Sequence, residues 1–285
     1  MSKETFDIGD NEIRVVGSTM SKEGNSKSQH RWRLWIGVLL LFVLILLGWM
    51  LIHRSAKTPS VYEAEPLVDT TQVVTFESPV KVKAYTQVRH DTINDIPLCI
   101  YTPIGGHVEL LLGKLPDNDK SIILAAQAAD YRADNGQISG AFVYKGELLS
   151  RGHPKYGFCA IIGDKLTMGM SPETPLFERA VEQNGYFFRQ FSLVHDGQSG
   201  ETLPKGKSVR RALCYFQQTI VVVESVERES FHDFSQALID MGVQEAVALV
   251  GCIQLPLYED KDGNRISQEV EHWSKAQETY IVWRK

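Results

Sequence analysis

The chain has 285 residues, 43% of them hydrophobic, which is enough for one or two domains with cores of their own. Its formal net charge is −5 and its Lys and Arg residues form no basic stripe, which excludes a general nucleic-acid binder. The four cysteines, Cys99, Cys159, Cys214 and Cys252, lie far apart with no Cys-x-x-Cys pair, so a structural zinc site is not expected.

In chain order, residues 1–33 are polar, with Gly, Ser, Asn and Lys gathered at Ser18–Ser28. Such a segment cannot bury enough apolar surface to fold, and it is expected to be a disordered tail. Residues 34–52 read LWIGVLLLFVLILLGWMLI, without a charge. As a helix this run is long enough to cross a ~30 Å hydrocarbon core. Trp35 and Trp49 stand near its ends, where amphipathic rings favour the headgroup level. The long polar stretch ahead of it and the absence of an Ala-x-Ala site after it argue against a cleaved signal peptide. Lys22, Lys27, Arg31 and Arg33 precede the run, against Arg54 and Lys57 after it. The positive-inside rule therefore puts the tail in the cytoplasm and the rest of the chain outside a cell membrane. Residues 53–75, with Pro59 and Pro66 among Ser, Thr and Glu, read as a linker.

Residues 76–285 are expected to form one domain. Val80–Ala84 alternates apolar and polar residues; Pro97–Tyr101 and His107–Leu112 are short apolar strands about a Pro-Ile-Gly-Gly turn. Ser121–Ala126 is wholly apolar except at its first residue, as a buried strand would be. Ala141–Leu149 turns at Lys145-Gly146, Ala160–Met168 at Gly163-Asp164 and Arg211–Glu224 at Gln217-Gln218, each as a hairpin. Pro175–Asn184 is predicted as a helix closed by Gly185. Phe231–Met241 is a second, with Ser230 as N-cap, Asp233 in its first turn and Gly242 at its end. The strand Ala246–Val250 and a turn at Gly251 follow. Helix, short loop, buried strand and tight turn predict an α+β fold: a strand-rich layered domain with two or more helices, preceded by a single transmembrane helix. Cys159 and Cys214 lie in apolar runs and read as buried free thiols, with two disulfides the alternative in an oxidising compartment.

Several of these segments, over about residues 110–285, together resemble the phosphodiester glycosidases related to the enzyme that uncovers mannose-6-phosphate. That family has a strand ending in Asn-Gly-Gly-Phe-Phe, matched here by Gln127-Ala128-Ala129-Asp130-Tyr131 and the hairpin Ser139–Gly146. Its Leu-Val-x-Asp-Gly turn is matched by Leu193–Gly197, and its arginine ahead of a hairpin by Arg211. Its closing Leu-Asp-Gly-Gly-Gly-Ser falls on Leu249-Val250-Gly251-Cys252-Ile253-Gln254.

The resemblance implies a hydrolase of glycosyl phosphodiesters in the cell envelope. Its ligand would be a glycan or sugar phosphate, held by Arg211 with Arg210 through bidentate guanidinium donors. Gln127, Tyr131 and Gly251 would line the site. The departures matter as much. The family asparagine falls on Gln127 and its aspartate on Val250, which can serve neither as acid nor as base. Asp130 is the one candidate for a relocated acid, and an ordinary turn residue is the alternative. The competing reading is a non-catalytic binding or assembly module on the same scaffold. No cofactor and no metal are expected. Asp260, Asp262, Asn264 and Glu271 echo a calcium loop, but Arg265 stands where such loops need glycine, so the segment reads as a turn.

Overall fold

A computed structural model describes residues 46, 74–77, 82–116, 118–132, 134–251, 256–266 and 278–285. The chain divides into two units, Met1–Leu67 and Val68–Lys285. In the first only Leu46 is described, as helical. The tail 1–33, the rest of the apolar run 34–52, and the linker up to residue 73 lie outside the described residues. Among the described residues no helix is long and apolar enough to cross a membrane.

The second unit is built from strands. The first four are β1 (Val74–Glu77), β2 (Tyr85–Ile93), β3 (Ile96–Ile104) and β4 (His107–Leu112). β5 (Ile122–Gln127), β6 (Phe142–Tyr144), β7 (Glu147–Ser150), β8 (Gly157–Ile162) and β9 (Lys165–Met170) follow, and then helix α1 (Leu176–Glu182). After it come β10 (Tyr186–Gln190), β11 (Ser192–His195), β12 (Gln198–Ser199), β13 (Lys207–Phe216) and β14 (Thr219–Ser230). Helix α2 (Phe231–Met241) leads to β15 (Glu245–Leu249), β16 (Leu257–Glu259), β17 (Arg265–Ile266) and β18 (Thr279–Arg284).

These strands form three sheets. The order is β1-β9-β8-β10-β6-β7 in the first, β12-β11-β15-β13-β14-β3-β2 in the second and β17-β16-β5-β18-β4 in the third. Every pairing is antiparallel.

The α+β class is therefore corrected to a mostly-β fold, and the described structure contains no spanning helix ahead of it. The physical reason lies in what the helices cover. One core gathers apolar side chains from all three sheets, among them Tyr101, Leu110, Phe142, Cys159, Leu213 and Leu249. The helices sit outside it. Helix α2 lays Phe234, Ala237 and Leu238 on the opposite face of the second sheet, against Leu98, Ala212, Cys214 and Val223. Helix α1 packs Ala180, Leu176 and Phe177 on Phe158 and Phe187 of the first. With 7 and 11 residues, the two helices patch sheet faces and do not make a layer of their own.

Most predicted hairpins are where the sequence puts them. Lys145, Asp196, Gln217 and Gln218 take positive φ, as the tight turns of twisted hairpins require. Val82–Ala84 lie outside any strand, and the strand begins at Tyr85 instead. In α1 the residue with positive φ is Asn184, one before the expected Gly185. Helix α2 has its expected ends: Ser230 Oγ accepts from the Asp233 amide at 3.0 Å, and Gly242 closes the helix in the left-handed region. Ser230→Ala removes that acceptor and is expected to lower unfolding stability by about 1 kcal/mol, measured by urea titration.

Cys99, Cys159 and Cys214 are buried free thiols, and Cys252 lies outside the described residues. Asp260 closes a turn, accepting at Oδ1 from the Asp262 and Asn264 amides at 2.9 and 2.8 Å. Glu271 lies outside the described residues.

Candidate functional site

Strand β5 ends at Gln127, and the chain then runs Ala128-Ala129-Asp130-Tyr131 across the end of the third sheet. Two bonds hold it there. The Ala128 amide donates to the Thr279 carbonyl at 2.8 Å, and the Ala129 amide donates to Thr279 Oγ1 at 3.0 Å. From the second sheet, the Val250 amide donates to the Gln127 carbonyl at 3.2 Å. The two sheet ends thus meet backbone to backbone at the pair of positions where the resemblance would put its asparagine and aspartate. Gln127 is half-buried there.

Strand β13 passes beside this junction with a register shift between Val209 and Arg211. Such a bulge re-aims the side chains next to it, and Arg210 and Arg211 end in different surroundings. Arg211 is 2% exposed. Its Cα partner across the ladder is Glu224. Arg211 Nε donates to Glu224 Oε2 at 2.6 Å, Nη2 donates to the same oxygen, and Nη1 donates to the Val250 carbonyl at 2.9 Å. Burial raises the Glu224 carboxyl above the ordinary carboxylate range, with Arg211 opposing. Glu224 is the charge at the end of the apolar run Thr219–Ser225. A carboxylate inside such a run is a sequence signal for a buried partner, which the structure shows to be Arg211. Gly251 fits against the bulge. A Cβ there would lie 2.0 Å from the Val209 carbonyl oxygen and 3.1 Å from Arg210 Cα.

Arg210 turns outward onto a different platform. Its guanidinium stands 3.7 Å over the Phe231 ring, with Nε donating to the Glu229 carbonyl at 2.9 Å and Nη2 to the Gly206 carbonyl at 2.6 Å. The Phe231 ring meets Phe191 edge-on at 5.9 Å, and Lys155 Nζ lies 4.8 Å over Phe191. Two cations therefore rest on one pair of aromatic rings.

Lys155 is 7% exposed. Its Nζ donates to Gln190 Oε1 at 2.6 Å and to Ser139 Oγ at 3.0 Å, and it lies 3.8 Å from Asp130 Oδ2. Burial lowers the Lys155 pKa, and Asp130 and Glu201 offset part of that. Burial lowers Arg210 as well, and Asp130 opposes it. Asp130 is 48% exposed at its side chain and stands in the field of both cations. The Gln190 amide nitrogen and the Ser192 hydroxyl are buried beside this platform without a partner.

The sequence-predicted residues are thus brought into one neighbourhood with a division of labour. Gln127, Arg211 and Gly251 build the joint between sheets. Asp130 and Arg210 face the aromatic platform. Tyr131 borders a neighbouring cleft, but its hydroxyl is buried, and burial pushes its pKa up to about 12. Lys155, Gln190, Ser139, Phe191 and Phe231 were not singled out by sequence reasoning. Lys155 lies in the polar loop His153-Pro154-Lys155-Tyr156, where nothing local announces a buried ammonium. Among the described residues no group of acidic, histidine and cysteine side chains is arranged to hold a metal ion.

No family model matches this chain, and no curated protein sequence matches it. Solved structures do. The zebrafish N-acetylglucosamine-1-phosphodiester alpha-N-acetylglucosaminidase catalytic domain, auto-inhibited by its pro-peptide, superposes with a TM-score of 0.51 at 14% identity. The match covers 75% of this chain and 88% of that one. A hypothetical protein from Synechocystis matches at a TM-score of 0.42 and 12% identity over 74% of this chain and 68% of that one, too distant to carry an argument. The zebrafish likeness shows that this chain has a phosphodiester glycosidase-like fold.

Proposed function

We propose that this chain is a membrane-anchored, phosphodiester glycosidase-like protein that binds a phosphate-bearing glycan outside the cell membrane without cleaving it. Lys155 and Arg210 hold the phosphoryl group, and Asp130 yields to it or accepts from a sugar hydroxyl. The observation that carries this reading is the state of the sheet junction. Val250 offers no carboxylate, both its backbone polar groups are bonded, and the charge of Arg211 is already met by Glu224. A glycoside hydrolase needs a titrating pair about the scissile bond, and among the described residues Val250 and the Arg211–Glu224 pair supply none free at the junction. The aromatic-backed cations supply binding without that pair. Placement at the membrane is supported by the uncharged run 34–52 and by the four basic residues ahead of it.

Hydrolysis is the second reading, and one observation favours it: Asp130 is half exposed beside a buried lysine, a position from which a carboxylate can act as acid or base. The full chain in neutral detergent, titrated calorimetrically with the methyl diester of N-acetylglucosamine 1-phosphate, separates the two. The expected result is saturable binding with no released sugar, weakened about tenfold in Lys155→Met, as loss of one charge-assisted contact implies. Turnover that disappears in Asp130→Asn establishes the hydrolase instead. Absence of binding by the native chain removes both.

A further inference from the structure

Two residues of the platform, Lys155 and Phe191, each lead directly into backbone amides that converge on one point. The amides of Tyr156 and Gly157, just after Lys155, and of Ser192, just after Phe191, all donate to Glu201 Oε1, at 3.1, 3.3 and 2.7 Å. Three converging N–H groups make a nest, a concavity suited to an oxyanion. Here the chain's own carboxylate fills it. Glu201 also stands in the field of two buried cations, Lys155 and Arg189. Arg189 is 8% exposed, and its guanidinium donates to the carbonyls of Lys155, Tyr156 and Pro172 at 3.0, 3.3 and 3.2 Å. No carboxylate is bonded to it among the described residues.

Glu201 belongs to the irregular loop 200–206 between β12 and β13, in which residues 202 and 204–206 are exposed. The loop is fastened at both ends to the platform. Glu201 sits in the nest beside Lys155, and the Gly206 carbonyl accepts from Arg210 Nη2 at 2.6 Å. At the start of the loop, a Cβ on Gly200 would lie 2.3 Å from the Ser192 carbonyl oxygen and 2.7 Å from Ser192 Oγ. That hydroxyl is buried without a partner among the described residues. So is the amide nitrogen of Gln190, whose oxygen holds Lys155 Nζ. Unmet buried polar groups are costly. A tetrahedral phosphoryl group brings more acceptor oxygens to this spot than the single Glu201 oxygen does.

We infer that the amide nest of Tyr156, Gly157 and Ser192 is the seat of the ligand's phosphoryl oxygen, and that Glu201 with its loop holds this seat closed in the free chain. The inference rests on the phosphate-binding function proposed for the platform and adds how that site is regulated. Binding exchanges one anion for another and releases the loop from the nest and from Arg210.

The test titrates the full chain in neutral detergent with the methyl diester of N-acetylglucosamine 1-phosphate, by calorimetry. The native chain is compared with Glu201→Gln, which keeps the shape and removes the competing charge. The expected result is binding about tenfold tighter in Glu201→Gln. In the native chain, ligand should also speed tryptic cleavage after the exposed Lys205 as the loop lets go. Equal or weaker binding by the variant, or cleavage no faster with ligand than without, is what a purely structural clasp gives. Either overturns the inference and leaves the platform reading standing. If neither protein binds the diester, the platform reading has failed, and Glu201→Ala judges the nest. Saturable restoration of its melting temperature by formate or inorganic phosphate upholds an oxyanion seat, and no restoration removes it. Should Glu201→Ala not fold, its refolding yield with and without formate gives the same answer.

Discussion

Replacing Arg211 with alanine is expected to destabilise the domain by roughly 3–5 kcal/mol, the range for removing one partner of a buried ion pair. Arg211 is the largest fully buried side chain among the described residues. Its removal leaves the Glu224 carboxylate between Cys99 and Arg211's vacated place, with no other cation among the described residues bonded to it. The cost is therefore mostly that of a stranded charge. The double variant Arg211→Met/Glu224→Leu, which removes both charges and keeps bulk, is expected to recover most of the loss. Denaturant unfolding of the three proteins measures this, and equal stability of the single and double variants would show that the charge is not what matters.

The same pair sets a pH dependence with a definite sign. Glu224 is raised in the folded protein above its ordinary value of 4.5. Between that value and its folded value the folded protein binds more protons than the unfolded chain. Stability then falls as pH rises through this window and levels off above it. Removing Arg211 takes away the influence that lowers Glu224, so in Arg211→Ala the fall continues to higher pH.

The second large effect is expected at Gly251. Its backbone lies so close to the β13 bulge that an alanine Cβ would sit 2.0 Å from the Val209 carbonyl oxygen. Backbone cannot rotate aside as a side chain can. Gly251→Ala must therefore separate the end of β15 from the bulge, at a cost of roughly 3 kcal/mol, the upper end for overpacking. Arg210 shares that bulge, so the change also tilts its guanidinium off Phe231. Unfolding by urea with parallel calorimetric titration of the phosphodiester should show both losses. Native stability with native binding would mean that the joint accommodates a Cβ.

What could be read from the sequence divides along the range of the interactions. Turns are set by adjacent residues, and Lys145-Gly146, Asp196-Gly197 and the Ser230 to Gly242 helix lie where their chemistry puts them. Sheet membership is set by distant partners. Strand β18 is absent from the expected elements, although Thr279–Arg284 is nearly continuous in buried residues, because its neighbours β4 and β5 lie over 150 positions earlier. Strand β2 is hard to read for the opposite reason. It is an edge strand whose exposed Gln87, Arg89 and His90 blur the alternation. The fold class failed because counting helices says nothing about whether they stack into a layer. At the site, Asp130 and the two arginines were visible as charges, but the division between Arg211 inside and Arg210 outside depends on one bulge. A pattern of alternating residues carries no sign of an extra one.

Glu201 gives the loop before β8 a further meaning. One of its oxygens accepts from the amides of Ser192 at 2.7 Å, Tyr156 at 3.1 Å and Gly157 at 3.3 Å. That loop carries His153 toward the cleft beside Tyr131 and Lys155 toward the platform. The two recesses thus share a single clasp. A lineage that altered the acid at 201 would retune both at once, whereas an exchange at Arg210 lets the platform drift separately.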